Sequence, residues 1–269
     1  MSALAALAAV FGLLCCVIPR IPQPTSYEAF ADQRSLWGIA HFGDVVSNLP
    51  FAVIGVWGIV LLLQSRNGKG TVFFLDDREM WPYLAAFCGL LLTAFGSTYF
   101  HLVPDNARLV WDRLPLIVTM MALVAAVIAE RIDVRLGLSL LPVLLTIGIA
   151  SVLQWYWSES IGASDLRFYG AVQAYAVLVI LAALFLPRRY TRGSDFGVVF
   201  GLYAVAKVFE FLDRPIFEAL HCVSGHTLKH LAAAAAGYWI VRMLQKRKPV
   251  GNVGNSVTAD ELSLEAAGK

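Results

Sequence analysis

Long apolar stretches broken by short polar turns dominate the chain. Eight can be read, at 2–18, 45–64, 82–102, 113–130, 137–157, 168–187, 195–212 and 226–244. Crossing a hydrocarbon core of about 30 Å takes roughly 20 apolar residues in a helix, so the pattern predicts an all-α membrane protein. The seven stretches after the first, joined by short loops, predict one seven-transmembrane-helix bundle over 45–245. The first stretch, "SALAALAAVFGLLCCVIP", lacks the basic start of a secretory signal. It reads as an extra N-terminal helix within residues 1–20, followed by a connecting segment over 21–44. The end of the chain, 246–269, is polar, contains Gly and has no apolar face, which predicts a disordered tail.

Composition agrees with this reading and narrows it. Of 269 residues, 58% are hydrophobic and 15% charged, too little polar surface for a soluble domain of this length. A net charge of +2 with no clustered basic-aromatic surface excludes nucleic acid as a partner. Cys15, Cys16, Cys88 and Cys222 have neither the spacing of a disulfide framework nor that of a thiolate metal site. Basic residues are unequally shared between the two sets of helix ends. One set carries Arg66, Lys69, Arg78, Arg131, Arg135, Arg188, Arg189, Arg192, Arg242, Lys246, Arg247 and Lys248. The other carries Arg20, Arg34, Arg108, Arg113, Arg167 and Arg214. The richer side is expected to be cytoplasmic. This puts the C-terminus inside and the 19–44 segment, the 103–112 loop and the 213–225 loop outside.

Candidate chemistry lies at the outer level. All five histidines, His41, His101, His221, His226 and His230, fall there. His226 and His230 are four residues apart, as are Ser97 and His101, so each pair shares a helix face. His101, His226 and His230 offer three nitrogen ligands, the number a catalytic zinc site takes when one position stays open for water. Taken alone, His101 reads as a solvated interfacial residue. Asp112 reads equally as a first-turn acid that caps its helix. The combination of a Ser, three His and an Asp from three helices at one depth favours a site.

These residues also carry a resemblance. "GSTYFH", "WDRLP" and "HTLKH" together resemble the three-part signature of the alkaline ceramidase family. That family lies within the seven-helix membrane hydrolases that include adiponectin-receptor-like proteins. Its pattern is Ser-x-x-x-His on the second core helix, Asp opening the third, and His-x-x-x-His on the seventh. It falls here on Ser97 and His101, on Asp112, and on His226 and His230. "FGDVVSNLPF" is similar to the family's Ser-Asn element, and the likeness spans 41–245, closest to bacterial members. The resemblance implies a multi-pass protein of a bacterial inner membrane with its site toward the outer face. It implies a zinc-dependent amidohydrolase (an enzyme acting on linear amides) that cleaves ceramide or another N-acyl lipid. Zn2+ would be held by His101, His226 and His230, with Asp112 as the proton-transfer group and Ser97 as a hydrogen-bond donor to water or to the developing oxyanion. The family's Ca2+ site is not matched, because the 21–44 segment has Asp32 and Asp44 but His41 where a carboxylate is expected.

Two rival readings come from other classes. In a receptor or structural membrane protein the zinc would be closed by a fourth protein ligand, with Asp112 as the candidate. A transporter is suggested by Lys207, Glu210 and Gln173 within apolar stretches. Lys207 and Glu210, three residues apart, are read first as an ion pair. Asp213, Arg214, Glu218 and His221 read as solvated loop residues that could orient ligands, and "QWYW" at 154–157 as an interfacial anchor.

Overall fold

The computed structural model describes residues 2–68 and 74–250. Every apolar stretch is helical, and among the described residues no strand forms beyond the isolated bridges Leu36–Ile39 and Tyr190–Pro249. The helices are α1 (Ser2–Val17), α2 (Phe42–Val46), α3 (Leu49–Arg66), α4 (Met80–Leu102), α5 (Asn106–Arg131), α6 (Val134–Ser160), α7 (Arg167–Ala183), α8 (Asp195–Phe211), α9 (Asp213–Leu220) and α10 (Gly225–Lys246).

Capping chemistry sets several boundaries. Asp105 accepts the Arg108 N–H at 2.7 Å and so starts α5, and Asp133 accepts that of Leu136 at 2.8 Å and starts α6. Each satisfies a first-turn N–H that the helix itself cannot. The connections left at 103–105 and 132–133 are too short for anything but antiparallel hairpins. Two expectations are corrected here. The loop expected at 103–112 is mostly helix, so Asp112 lies nearly two turns inside α5 and Asp105 is the cap. The loop expected at 213–225 contains α9, which ends at His221 in the left-handed region (φ 55°).

Four segments are long and apolar enough to cross a membrane: Phe42–Arg66, Asp77–Leu102, Asn106–Arg131 and Val134–Ser160. Seven were expected, and the shortfall has a physical reason. The 17 residues each of α7 and α8 reach about 26 Å at 1.5 Å per residue. In α10, Lys229, Arg242 and Lys246 interrupt the apolar run.

At the centre lies α5, packed against α4, α6 and α7. Its Ile117, Met121, Val124 and Ala125 are fully buried. The α4–α5 crossing depends on a glycine and a proline. Pro115 has no N–H to give the Trp111 carbonyl one turn earlier, and that carbonyl leans onto Gly96 of α4. A Cβ at Gly96 would stand 1.9 Å from it. Gly96→Ala is therefore expected to force α5 outward and lower the melting temperature of the full chain, a cost of about 1–3 kcal/mol. Gly201→Ala serves as control, because a Cβ there meets nothing within 4 Å. Equal melting temperatures for the two variants would refute this account of the crossing.

At the opposite end of the bundle, Arg247 is buried against Glu130, which also accepts the Tyr83 hydroxyl at 2.6 Å. Thr191 donates its N–H to Lys248 and Val250 donates to Arg189, so the chain is held in place through residue 250. Residues 251–269, most of the expected tail, lie outside the described residues.

Candidate metal centre

Helical geometry delivers the candidate residues in pairs. On α4, Ser97 and His101 are stacked one turn apart, and both are 1% exposed. On α10, His226 and His230 repeat that spacing, buried at 6% and 4%. The three imidazole centroids are 4.7, 5.1 and 4.8 Å apart. One nitrogen from each ring lies within 4.8 Å of the other two, and the Nε2 atoms of His101 and His226 face each other at 3.2 Å. Ligands 2.0–2.1 Å from a tetrahedral ion would be about 3.3 Å apart. The three histidines have the donors and the spacing to hold a metal ion. Among the described residues no carboxylate belongs to the converging set.

Surrounding hydrogen bonds aim the rings. Ser47, between α2 and α3, donates its hydroxyl to the Asp44 carbonyl at 3.0 Å and contacts His230 Nδ1 at 2.8 Å. With its proton committed, Ser47 accepts from Nδ1–H, which leaves the His230 Nε2 lone pair free for a ligand. A partner of this kind fixes both tautomer and ring orientation. Ser47→Ala is expected to weaken metal binding about 10- to 100-fold, read as the dissociation constant of an added divalent metal in competition with a chelator. An unchanged constant would mean that His230 is oriented by something else.

Two carboxylates anchor the first turn of α10. Asp213 accepts the His226 N–H at 2.8 Å, and Asp44, wholly buried, accepts the hydroxyls of Ser224 and Thr227 at 3.0 and 2.8 Å. Negative charge is favoured at a helix N-terminus, so these contacts hold the His226 turn in place. Asp213 also accepts the Ala31 N–H at 2.9 Å, tying the N-terminal segment to the site. One result is that Phe30 packs edge-on to both His101 and His226, with centroids 4.6 Å away in each case. Arg34 fastens the same segment, through Asp32 and the carbonyls of His221 and Cys222. Burial pushes the Asp32 carboxyl up, but hydrogen bonds from Arg34 outweigh it and hold the group below its ordinary value.

Of the five residues read from the sequence, the structure brings the three histidines together and puts Ser97 one helical turn from His101 on α4. Asp112 lies on α5 where that helix presses on α4 next to Ser97: a Cβ at Gly96 would stand 3.4 Å from the Asp112 N. His41 and His221 stand outside the histidine cluster: His41 contacts the Asp32 carbonyl at 3.1 Å, and His221 is exposed. Asp213, read as a loop residue, contacts the backbone of a candidate ligand. Two participants were missed. Ser47 lies in the quoted Ser-Asn element but had no assigned partner, and Phe30 sits in a segment without periodicity, where no local signal could have marked it. In comparisons with known proteins, no family model matches the chain and no curated protein matches it.

Beside this centre, Glu210 of α8 pairs with Lys207, as expected, and with Lys229 of α10 at 3.2 Å. Satisfied in this way, the charges tie α8 to α10 at the level of the site. An apolar cavity of about 510 Å³ lies elsewhere, between α1, α6 and α7, and none of the five site residues lines it.

Proposed function

We propose that this chain is an integral membrane hydrolase that holds zinc at His101, His226 and His230 and cleaves the amide of ceramide or a related N-acyl lipid. The observation that carries the reading is a buried three-histidine cluster, with Ser97 one turn from His101, in a bundle of membrane-length helices. In this reading all seven helices from α3 to α10 except the short α9 cross the membrane, with the basic end cytoplasmic and the site toward the outer, periplasmic face.

Zinc bound there supplies a Lewis acid that polarises the amide carbonyl and lowers the pKa of water. The chain's own residues do the rest. Asp112 accepts the proton that water loses and passes it to the departing amine nitrogen. Ser97, one turn from His101 on α4, donates to developing negative charge. Phe30 keeps the histidines from bulk water, which strengthens every charge interaction inside the site. A cleft of about 760 Å³ whose lining includes Ser47, Leu49, Pro50, Thr227 and Leu231 reaches the site at Ser47, the partner of His230, and offers room for an acyl chain.

The rival reading, a receptor or structural protein with a closed zinc, needs a fourth protein ligand. The absence of Asp112 from the converging set favours the open site. The direct test is zinc content of the purified chain alongside fatty-acid release from a panel of N-acyl lipids. One zinc per chain with release of fatty acid is expected; bound zinc without hydrolysis of any member would favour the structural role.

A further inference from the structure

Arg113 follows Asp112 on α5, and its surroundings are unusual for a buried cation. It is 4% exposed, yet among the described residues no carboxylate pairs with it. Arg247 has Glu130, Lys229 has Glu210 and Arg167 has Asp165, while Arg131, also without a carboxylate, spends its N–H bonds on the carbonyls of Leu186 and Gly193. Three aromatic rings enclose the guanidinium, Trp155 at 4.0 Å, Tyr169 at 4.9 Å and Tyr27 at 5.2 Å. These contacts favour a cation but accept few of its protons.

The hydrogen-bond count is equally uneven. Of the five N–H bonds of a guanidinium, Arg113 uses one, from Nη2 to Gln23 Oε1 at 2.7 Å. Its Nε and Nη1 have no partner, nor do Gln23 Nε2 and Trp155 Nε1, all of them buried. Every unmet group in this cluster is a donor. Buried polar groups left without partners are costly, so the cluster calls for an acceptor, and a guanidinium with no carboxylate in salt-bridge contact favours an anionic one. Whichever edge of the guanidinium Gln23 occupies, the other edge keeps two parallel N–H bonds. Such a fork matches a planar carboxylate. One cation and one fork suit a monoanion.

We infer that Arg113, with Gln23 and Trp155, forms a carboxylate subsite, and that the substrate is an N-acyl amino acid or a lipid with a comparable anionic head. The inference rests on the hydrolase reading, since the subsite adjoins Asp112 and would seat the amine half of the amide. Hydrolysis of such a substrate breaks the amide C–N bond, joins the water oxygen to the acyl carbon and transfers a proton to the amine nitrogen. A fatty acid and an amino acid are released.

The test compares N-palmitoylglycine with its uncharged glycinamide and with N-palmitoyl-O-phosphoethanolamine, using the full zinc-loaded chain in micelles. Wild type is expected to prefer the glycine conjugate in kcat/KM by roughly 10- to 100-fold, the scale of a lost charge-assisted hydrogen bond. Arg113→Met is expected to bring that ratio near one, chiefly through KM, with Arg113→Lys intermediate. Equal rates for the carboxylate and the amide in wild type would overturn the proposal while leaving the hydrolase reading standing. A preference for the phosphate conjugate would overturn the carboxylate assignment. Should none of the three be hydrolysed while ceramide is, the substrate assignment is overturned; should ceramide also resist, the hydrolase reading fails instead. Equilibrium binding then decides the subsite: a carboxylate preference lost in Arg113→Met supports it, and equal affinities reject it. The wild-type comparison needs no variant, so a misfolded Arg113→Met leaves the proposal open to refutation.

Discussion

Alanine at His101, His226 or His230 is expected to strip most of the zinc from the purified chain, while His41→Ala and His221→Ala keep zinc near the wild-type level. The expectation follows from the convergence of one nitrogen from each of the three rings within 4.8 Å. Removing one donor leaves two imidazoles and opens a buried space that water or a neighbouring side chain fills. The loss should exceed the 10- to 100-fold typical of removing an outer hydrogen-bond partner, which places each alanine variant below Ser47→Ala in affinity. His41 and His221 provide the contrast because both sit at the same outer level in the sequence reading, yet neither joins the cluster. Metal content by elemental analysis reads the result directly. If His221→Ala emptied the site and His101→Ala did not, the ligand assignment would be wrong.

Asp112→Asn separates an open catalytic site from a closed structural one. Asn keeps the size of the side chain and much of its hydrogen-bonding capacity, but it cannot take a proton from water. Zinc content is expected to stay near one per chain while turnover falls by about 10²–10⁴-fold, the usual contribution of a general acid–base group. That corresponds to roughly 3–5 kcal/mol of barrier. Were Asp112 instead a fourth ligand, the same variant would lose zinc and melt at a lower temperature. Ser97→Ala should cost no more than a single oxyanion donor, about 10²–10³-fold. A parallel loss of metal in Asp112→Asn would sink the hydrolase reading whatever the activity showed.

Local pattern alone determined a good deal of this protein. Apolar length marked every helix of 16 residues or more, though not the short α2 and α9, because the cost of bare peptide groups in hydrocarbon leaves a spanning segment few alternatives. Spacings of four residues placed Ser97 with His101, and His226 with His230, because 3.6 residues per turn dictates which side chains share a face. Helix ends were less legible. Asp112 and Asp105 are both acids near the same turn, and which of them caps α5 depends on where Pro104 and Asp105 leave extended backbone. The contacts between elements were decided only in three dimensions. Ser47 meets His230 across 183 residues, Phe30 covers rings from α4 and α10, and Arg113 gathers Gln23, Tyr27, Trp155 and Tyr169 from three other parts of the chain. Such meetings depend on how closely two helices cross and in what register. Here that is set by details such as the Trp111 carbonyl against Gly96, which no periodicity along the sequence encodes.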